Sequence, residues 1–294
     1  MTLSFFTDLF QQDFLFRAMI AGVILGIIAP LLGSIVVIRR LSFIADTLGH
    51  FSLVGISVSL FLSTLGFPYF LDHSLYLGII FSVVGGLMVE LFRRSYKNYK
   101  EISMVIVISL GAALSAIFFS LSKKTGSLFN YLFGSILTIT NDSVWLIFYT
   151  AILVGLLFLI FGKQIIAVSF EEAKAKLLGV NVNLFQILFM VMLSVVVSVL
   201  LESVGVLLIS SMMIIPVAAA MKVGWSFKST TIIAIVFSEL SVFFGLWSSH
   251  SIGVPSGAAI VSFNVLLLLV VSTIKKLRGN KRIPKDLPTP NLFD

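Results

Sequence analysis

The chain has 294 residues, of which 59% are apolar and 11% charged, against about 25% charged in a soluble domain. One soluble core of this size cannot hide that much apolar surface, so the chain reads as an all-α polytopic membrane protein with no soluble domain. The net charge of +7 sits in short loops between apolar runs, the positive-inside pattern, which argues against nucleic acid as a partner and for membrane lipid. Cysteine is absent, so disulfides and thiolate metal sites are excluded, and any metal must meet imidazole and oxygen.

The segment Thr7-Asp8-Leu9-Phe10-Gln11-Gln12-Asp13 before the first apolar run is not basic, and no small-residue cleavage site follows. No cleavable signal peptide is expected. A crossing needs about 20 apolar residues. In chain order the clear runs are Phe14–Ile38, Phe43–Leu65, Leu75–Phe92, Ile102–Leu121, Ser143–Phe161, Leu184–Leu201, Thr230–Ser248 and Val254–Ile274. Between the sixth and seventh lies Val204–Met221, interrupted by Gly205 and Pro216. It reads as a ninth crossing or as a broken, partly re-entrant segment, so eight or nine crossings are expected. Counted as nine, they place Arg39-Arg40, the basic stretch Arg93–Lys100, Lys163, Lys174, Lys176, Lys222, Lys228 and Lys275–Arg278 on the inner side. The N-terminus is then outside and the C-terminus inside, and Lys123-Lys124 is the exception. Residues 1–278 form the membrane domain, and 279–294, polar with three prolines, reads as a disordered cytoplasmic tail.

The most informative polar residues are Asp46 and His50. Four positions apart on a helix, they project from one face, and ionisable groups in lipid usually mark an ion pathway, a relay or a ligand site. Three readings stand: a helix cap made by Asp46, a proton relay, and a metal site, because imidazole plus carboxylate suits zinc and manganese. Two ligands are too few for a site. A two-fold dimer would bring two copies together, or other helices of the same chain would complete the shell. Counting from Arg39-Arg40 puts the pair near the cytoplasmic third. Glu239, near mid-span, is a pathway-lining candidate; Glu202, at the outer end of a span, and His250, in an outer loop, are weaker ones, and Asp72-His73 is weaker still.

Residues 169–182 read as a short helical connector on the basic side, containing Glu171, Glu172, Ala173, Lys174, Leu178, Gly179 and Val180. Acids early and lysines later complement the helix dipole, and Gly179 is a natural cap. The connector is either an amphipathic loop element or a docking helix for a cytoplasmic partner. No Gly-x-x-x-x-Gly-Lys-[Ser/Thr] loop occurs and no catalytic residue is assigned, so ATP-driven work would need hydrolysis on another polypeptide. The Gly205–Ala220 stretch is either a proline-kinked packing helix or part of a gate.

Gly33–Ser42 running into Asp46-Thr47-Leu48-Gly49-His50 resembles the bacterial metal-ion ABC permease family, which imports zinc, manganese or iron. The resemblance continues through Tyr131–Leu137, Glu171–Val180, Leu207–Ala220 and Pro255-Ser256-Gly257-Ala258, in order and over nearly the whole chain. It implies a multi-pass protein of the bacterial inner membrane, working as a homodimer with two cytoplasmic ATP-binding subunits and an extracytoplasmic metal-binding protein. It also implies that Asp46 and His50 face the pathway and that Glu171–Asn181 meets the ATPase. The Asp-Thr-Leu-x-His and Leu-Phe-Gly-Ser-Ile-Leu variants look most like the zinc members. Zn²⁺ is then cargo rather than a resident cofactor, with Mn²⁺ the runner-up. A proton-coupled secondary metal transporter, with Asp46, His50, Glu202 and Glu239 as relay, is the alternative of another class.

Overall fold

The structure, a computed structural model, describes residues 11–96, 99–123, 125–134 and 136–277. Among them regular structure is helical throughout. Eight helices are long and apolar enough to cross a membrane: α1 (Asp13–Ile38), α2 (Ile44–Thr64), α4 (Ser74–Ser95), α5 (Lys100–Leu121), α7 (Asn141–Phe170), α9 (Val182–Val204), α11 (Phe227–Ile252) and α12 (Ser256–Leu277). The shorter elements are α3 (Tyr69–Asp72), α6 (Thr125–Phe133), a 3₁₀ turn (Ile136–Thr138), α8 (Glu172–Leu177) and α10 (Val206–Ala220). The proposed tail at 279–294 lies outside the described residues.

Burial sorts the helices into two layers. The apolar stretch of α2 is 78% buried and those of α1 and α9 are 67% buried, whereas that of α7 is 17% buried. So α1, α2, α9 and α10 form the centre, and α4, α5, α7 and α12 present apolar side chains outward, as a lipid-facing layer must. The α2–α4 contact is close because small residues meet: Gly55 abuts the Leu77–Gly78 backbone, and Gly78 abuts Ser52. Serines stitch α9 to α4, Ser194 Oγ donating to the Ser82 carbonyl at 3.2 Å and Ser198 Oγ to the Gly78 carbonyl at 3.4 Å.

Of the two interruptions expected after α9, the structure keeps the one at Gly205 and not the one at Pro216. α10 continues through Pro216 as one helix, and the interruption falls at Gly205, with φ 84°. A proline costs a helix one hydrogen bond and a local clash, which neighbouring helices absorb. A positive φ ends it, and glycine is the residue that adopts one freely. At fifteen residues α10 is about 22 Å long, short of the roughly 30 Å hydrocarbon core. The segment that follows α6 packs at the start of α10: Gly134 meets the Val204 carbonyl, and the Ile136 N–H donates to Ser256 Oγ at 3.1 Å.

Candidate functional site

α2 starts one turn after Arg39-Arg40, and Asp46 falls in its first turn. The N-cap is Phe43, with no side-chain capping bond, and Thr47 Oγ1 donates back to the Phe43 carbonyl at 2.7 Å. Asp46 therefore lies inside the helix rather than at the capping position. It lines a cavity of about 620 Å³ between the start of α2, α10 and α12, with Phe43, Phe133, Leu207, Ser210, Ser211 and Ala258 among its neighbours. The Ser210 hydroxyl faces the Asp46 carboxylate and itself donates to the Val206 carbonyl at 3.2 Å. One turn along α2, His50 is half-buried against Gly111 of α5, and its Nδ1 is buried without a hydrogen-bond partner. A neutral imidazole presents one lone pair, and a carboxylate one turn away adds oxygen and negative charge.

The level of the pair follows from the packing. α1 and α10 touch where Gly33 meets the Met213 carbonyl, and Gly49, beside His50, abuts Val206. Counting seven residues back along α1 and α10 sets Gly26 level with Val206, near the middle of the 26-residue α1. His50 thus stands near the middle of the bundle, and Asp46 about 6 Å further toward the arginine end. Glu239 of α11 belongs to the same level: its carboxylate packs directly on Gly26, with Oε1 buried and unpartnered.

The other candidates lie elsewhere. Glu202, in the last turn of α9, lines a separate cavity of about 640 Å³ with Tyr131, Thr138, Ser203 and Pro255. Phe133 borders both this cavity and that of Asp46. His250 sits in the last turn of α11 rather than in a loop, and it is engaged by a neighbour. His73 precedes α4, its ring stacked on Tyr69 at 4.0 Å and its Nδ1 2.8 Å from the Tyr69 carbonyl. Among the described residues no group of three or more His, Asp or Glu gathers around one point. Ser210 escaped the sequence reading as a site residue, because a serine in an apolar run carries no signal until its helix neighbour is known.

The connector is shorter than the 169–182 segment assigned from sequence. α7 runs on to Phe170, Glu171 is the extended residue at the join, and the helix proper, α8, has six residues. Glu171 pairs with Lys174 at 2.7 Å in the open. Ala175 is buried, whereas Leu177 and Leu178 are 88% and 80% exposed. Gly179, with φ 80°, turns the chain while the Val180 N–H bonds back to the Ala175 carbonyl at 3.1 Å, a closing bond that satisfies a free helix carbonyl.

Comparison with known proteins places this architecture. The family model "ABC 3 transport family" matches residues 11–275. A "Manganese transport system membrane protein MntC" from Listeria innocua is 28% identical over 276 residues, covering 94% of this chain and 95% of the relative. A "High-affinity zinc uptake system membrane protein ZnuB" from Buchnera aphidicola is 33% identical over 266 residues, covering 90% of this chain and 98% of the relative. The solved structure "PsaBC from Streptococcus pneumoniae in complex with Fab" superposes with a TM-score of 0.79 at 28% identity, covering 95% of this chain and all of the matched one. With its match over residues 11–275 and eight long apolar helices among the described residues, the chain is a multi-pass integral membrane protein belonging to the ABC 3 transport family.

Proposed function

We propose that this chain is the permease subunit of an ATP-driven importer of a divalent transition metal, and that Asp46 and His50 hold the ion in transit. The carrying observation is their placement one turn apart on the most buried helix, with Asp46 opening onto a cavity and the Nδ1 of His50 left without a protein donor or acceptor. Two ligands per chain call for a second copy of the permease, whose own Asp46 and His50 would raise the set to four. In this reading an extracytoplasmic metal-binding protein delivers the ion at the outer mouth, near Glu202. Two cytoplasmic ATP-binding subunits dock on the connector from Glu171 to Val180. The exposed Leu177 and Leu178 supply the apolar part of that contact and the Glu171–Lys174 edge its polar rim. Hydrolysis on those partners, in the bacterial cell membrane, switches the ion site between outward and inward access. Nothing need stay bound between cycles.

Zinc is the cargo favoured here. The motif variants and the 33% identity to the zinc-system protein support it, whereas the ligand chemistry does not discriminate, since imidazole and carboxylate bind zinc and manganese alike. Manganese is the second reading, favoured by the 28% identity of the manganese-system protein from Listeria innocua. A proton-coupled carrier is less well supported, since Glu202 and Asp46 line different cavities and Glu239 packs against α1. Co-purification separates the classes: an ATPase isolated with the chain supports the importer, and uptake by the chain alone in vesicles with a pH gradient supports the carrier.

A further inference from the structure

At the arginine end of the bundle, away from Asp46, the ends of α1 and α4 hold a buried knot of charge. Arg39 is 8% and Arg93 9% exposed. The Arg39 guanidinium lies over the Phe189 ring at 5.3 Å. Arg93 reaches Glu90 at 3.5 Å, and Glu90 is shared with Arg94 at 3.7 Å. These contacts leave donors over: Arg39 Nη2 and Arg93 Nε are buried with no hydrogen-bond partner. Both arginines border one cavity of about 580 Å³, together with Arg40, Glu101 and Glu172. Among the described buried groups of the knot, two arginines (Arg39 and Arg93) stand against one glutamate (Glu90), leaving one positive charge without a counterpart. Burial draws Arg39 down to about 10, Arg93 pushing the same way against Glu90 and Glu172, so it remains a cation at neutral pH. An uncompensated buried charge is costly, and spare guanidinium donors suit phosphate oxygens.

The mouth of the cavity says which phosphate. Ile102 borders it at 43% exposure and Phe170 at 58%. From Ile102 the outward face of α5 continues with Val105 and Ile106, 52% and 37% exposed. A free anion gains nothing from such a wall, whereas an acyl chain does. We propose that this cavity binds the phosphodiester headgroup of an anionic phospholipid of the cytoplasmic leaflet, with Arg39 and Arg93 holding the phosphate and an acyl chain lying along α5. A zwitterionic headgroup brings its own cation and leaves the excess charge in place; a singly charged phosphodiester cancels it. Basic pockets at the cytoplasmic ends of membrane helices are suited to such headgroups.

The test is native mass spectrometry of the full-length chain, alone and with any subunit that co-purifies, in detergent containing equal phosphatidylglycerol and phosphatidylcholine. The wild type should retain phosphatidylglycerol in preference, and Arg93→Gln should reduce that preference by about five-fold. Arg40→Gln, at an exposed residue on the rim of the cavity, leaves the buried Arg39, Arg93 and Glu90 in place and should reduce the preference by a smaller factor. Equal retention of both lipids by the wild type, or an unchanged preference in both variants, overturns the proposal. Displacement of the lipid by an equal concentration of inorganic phosphate would identify a free-anion site instead. Retention by the lone chain that vanishes in the assembled complex would identify the cavity as a seat for an acidic side chain of a partner. Either of these last results also refutes the lipid assignment. None of these readings depends on which metal is transported.

Discussion

The side-chain amide of Gln186 donates a 2.8 Å hydrogen bond to the carboxylate of Glu172, tying the inner end of α9 to the first residue of α8. Gln186 is buried and Glu172 is exposed, so the bond links the surface connector to the central layer of the bundle. In the importer reading, it carries motion of a docked ATPase to the helix that packs beside α2.

Removing the donor should uncouple the two. Gln186→Leu leaves one carboxylate oxygen without its partner and should cost about 1 kcal/mol of stability. It should lower metal uptake several-fold while ATP hydrolysis by the assembled complex continues. Parallel transport and hydrolysis assays check this; equal loss of both, or of neither, removes the bond from the coupling route.

The connector itself should be a contact surface rather than a stabilising element. The Glu171–Lys174 pair is exposed, and such pairs contribute about 0.5 kcal/mol or less. Reversing charge at Glu171, or replacing Leu177 and Leu178 with serine, should leave thermal stability nearly unchanged. Both changes should weaken ATPase co-purification. Undiminished recovery of the partner, with transport intact, would take this stretch out of the interface.

Gly205 is the joint between α9 and α10. Gly205→Ala forces a side chain into φ 84°, against the neighbouring backbone of Leu132 to Gly134. The cost should be about 1–3 kcal/mol, seen as a lower unfolding temperature. Pro216→Ala, inside a continuous helix, should be tolerated far better; the opposite order would mean that the break lies where the proline is.

How far these features were legible in the sequence depended on their range. The eight long helices announce themselves because lipid demands an unbroken apolar run, and the Asp46–His50 face follows from helical spacing alone. The break at Gly205 rather than Pro216 depends on Gly134 and Val204 meeting from distant parts of the chain. The pairing of Glu239 with Gly26, and of Asp46 with Ser210, depends on which helices are neighbours, which no local pattern specifies. The partners of Gln186 and Arg39 are not legible for the same reason: no local pattern says that one meets Glu172 or that the other lies over Phe189.

The central claim is that Asp46 and His50 touch the ion. Uptake of zinc and of manganese by the reconstituted wild-type complex, beside His50→Ala and Asp46→Ala complexes that assemble equally well, tests it most directly. The account predicts ATP-dependent uptake in the wild type, fastest with zinc, and loss of nearly all of it in both variants. Uptake at the wild-type rate in either variant would contradict it.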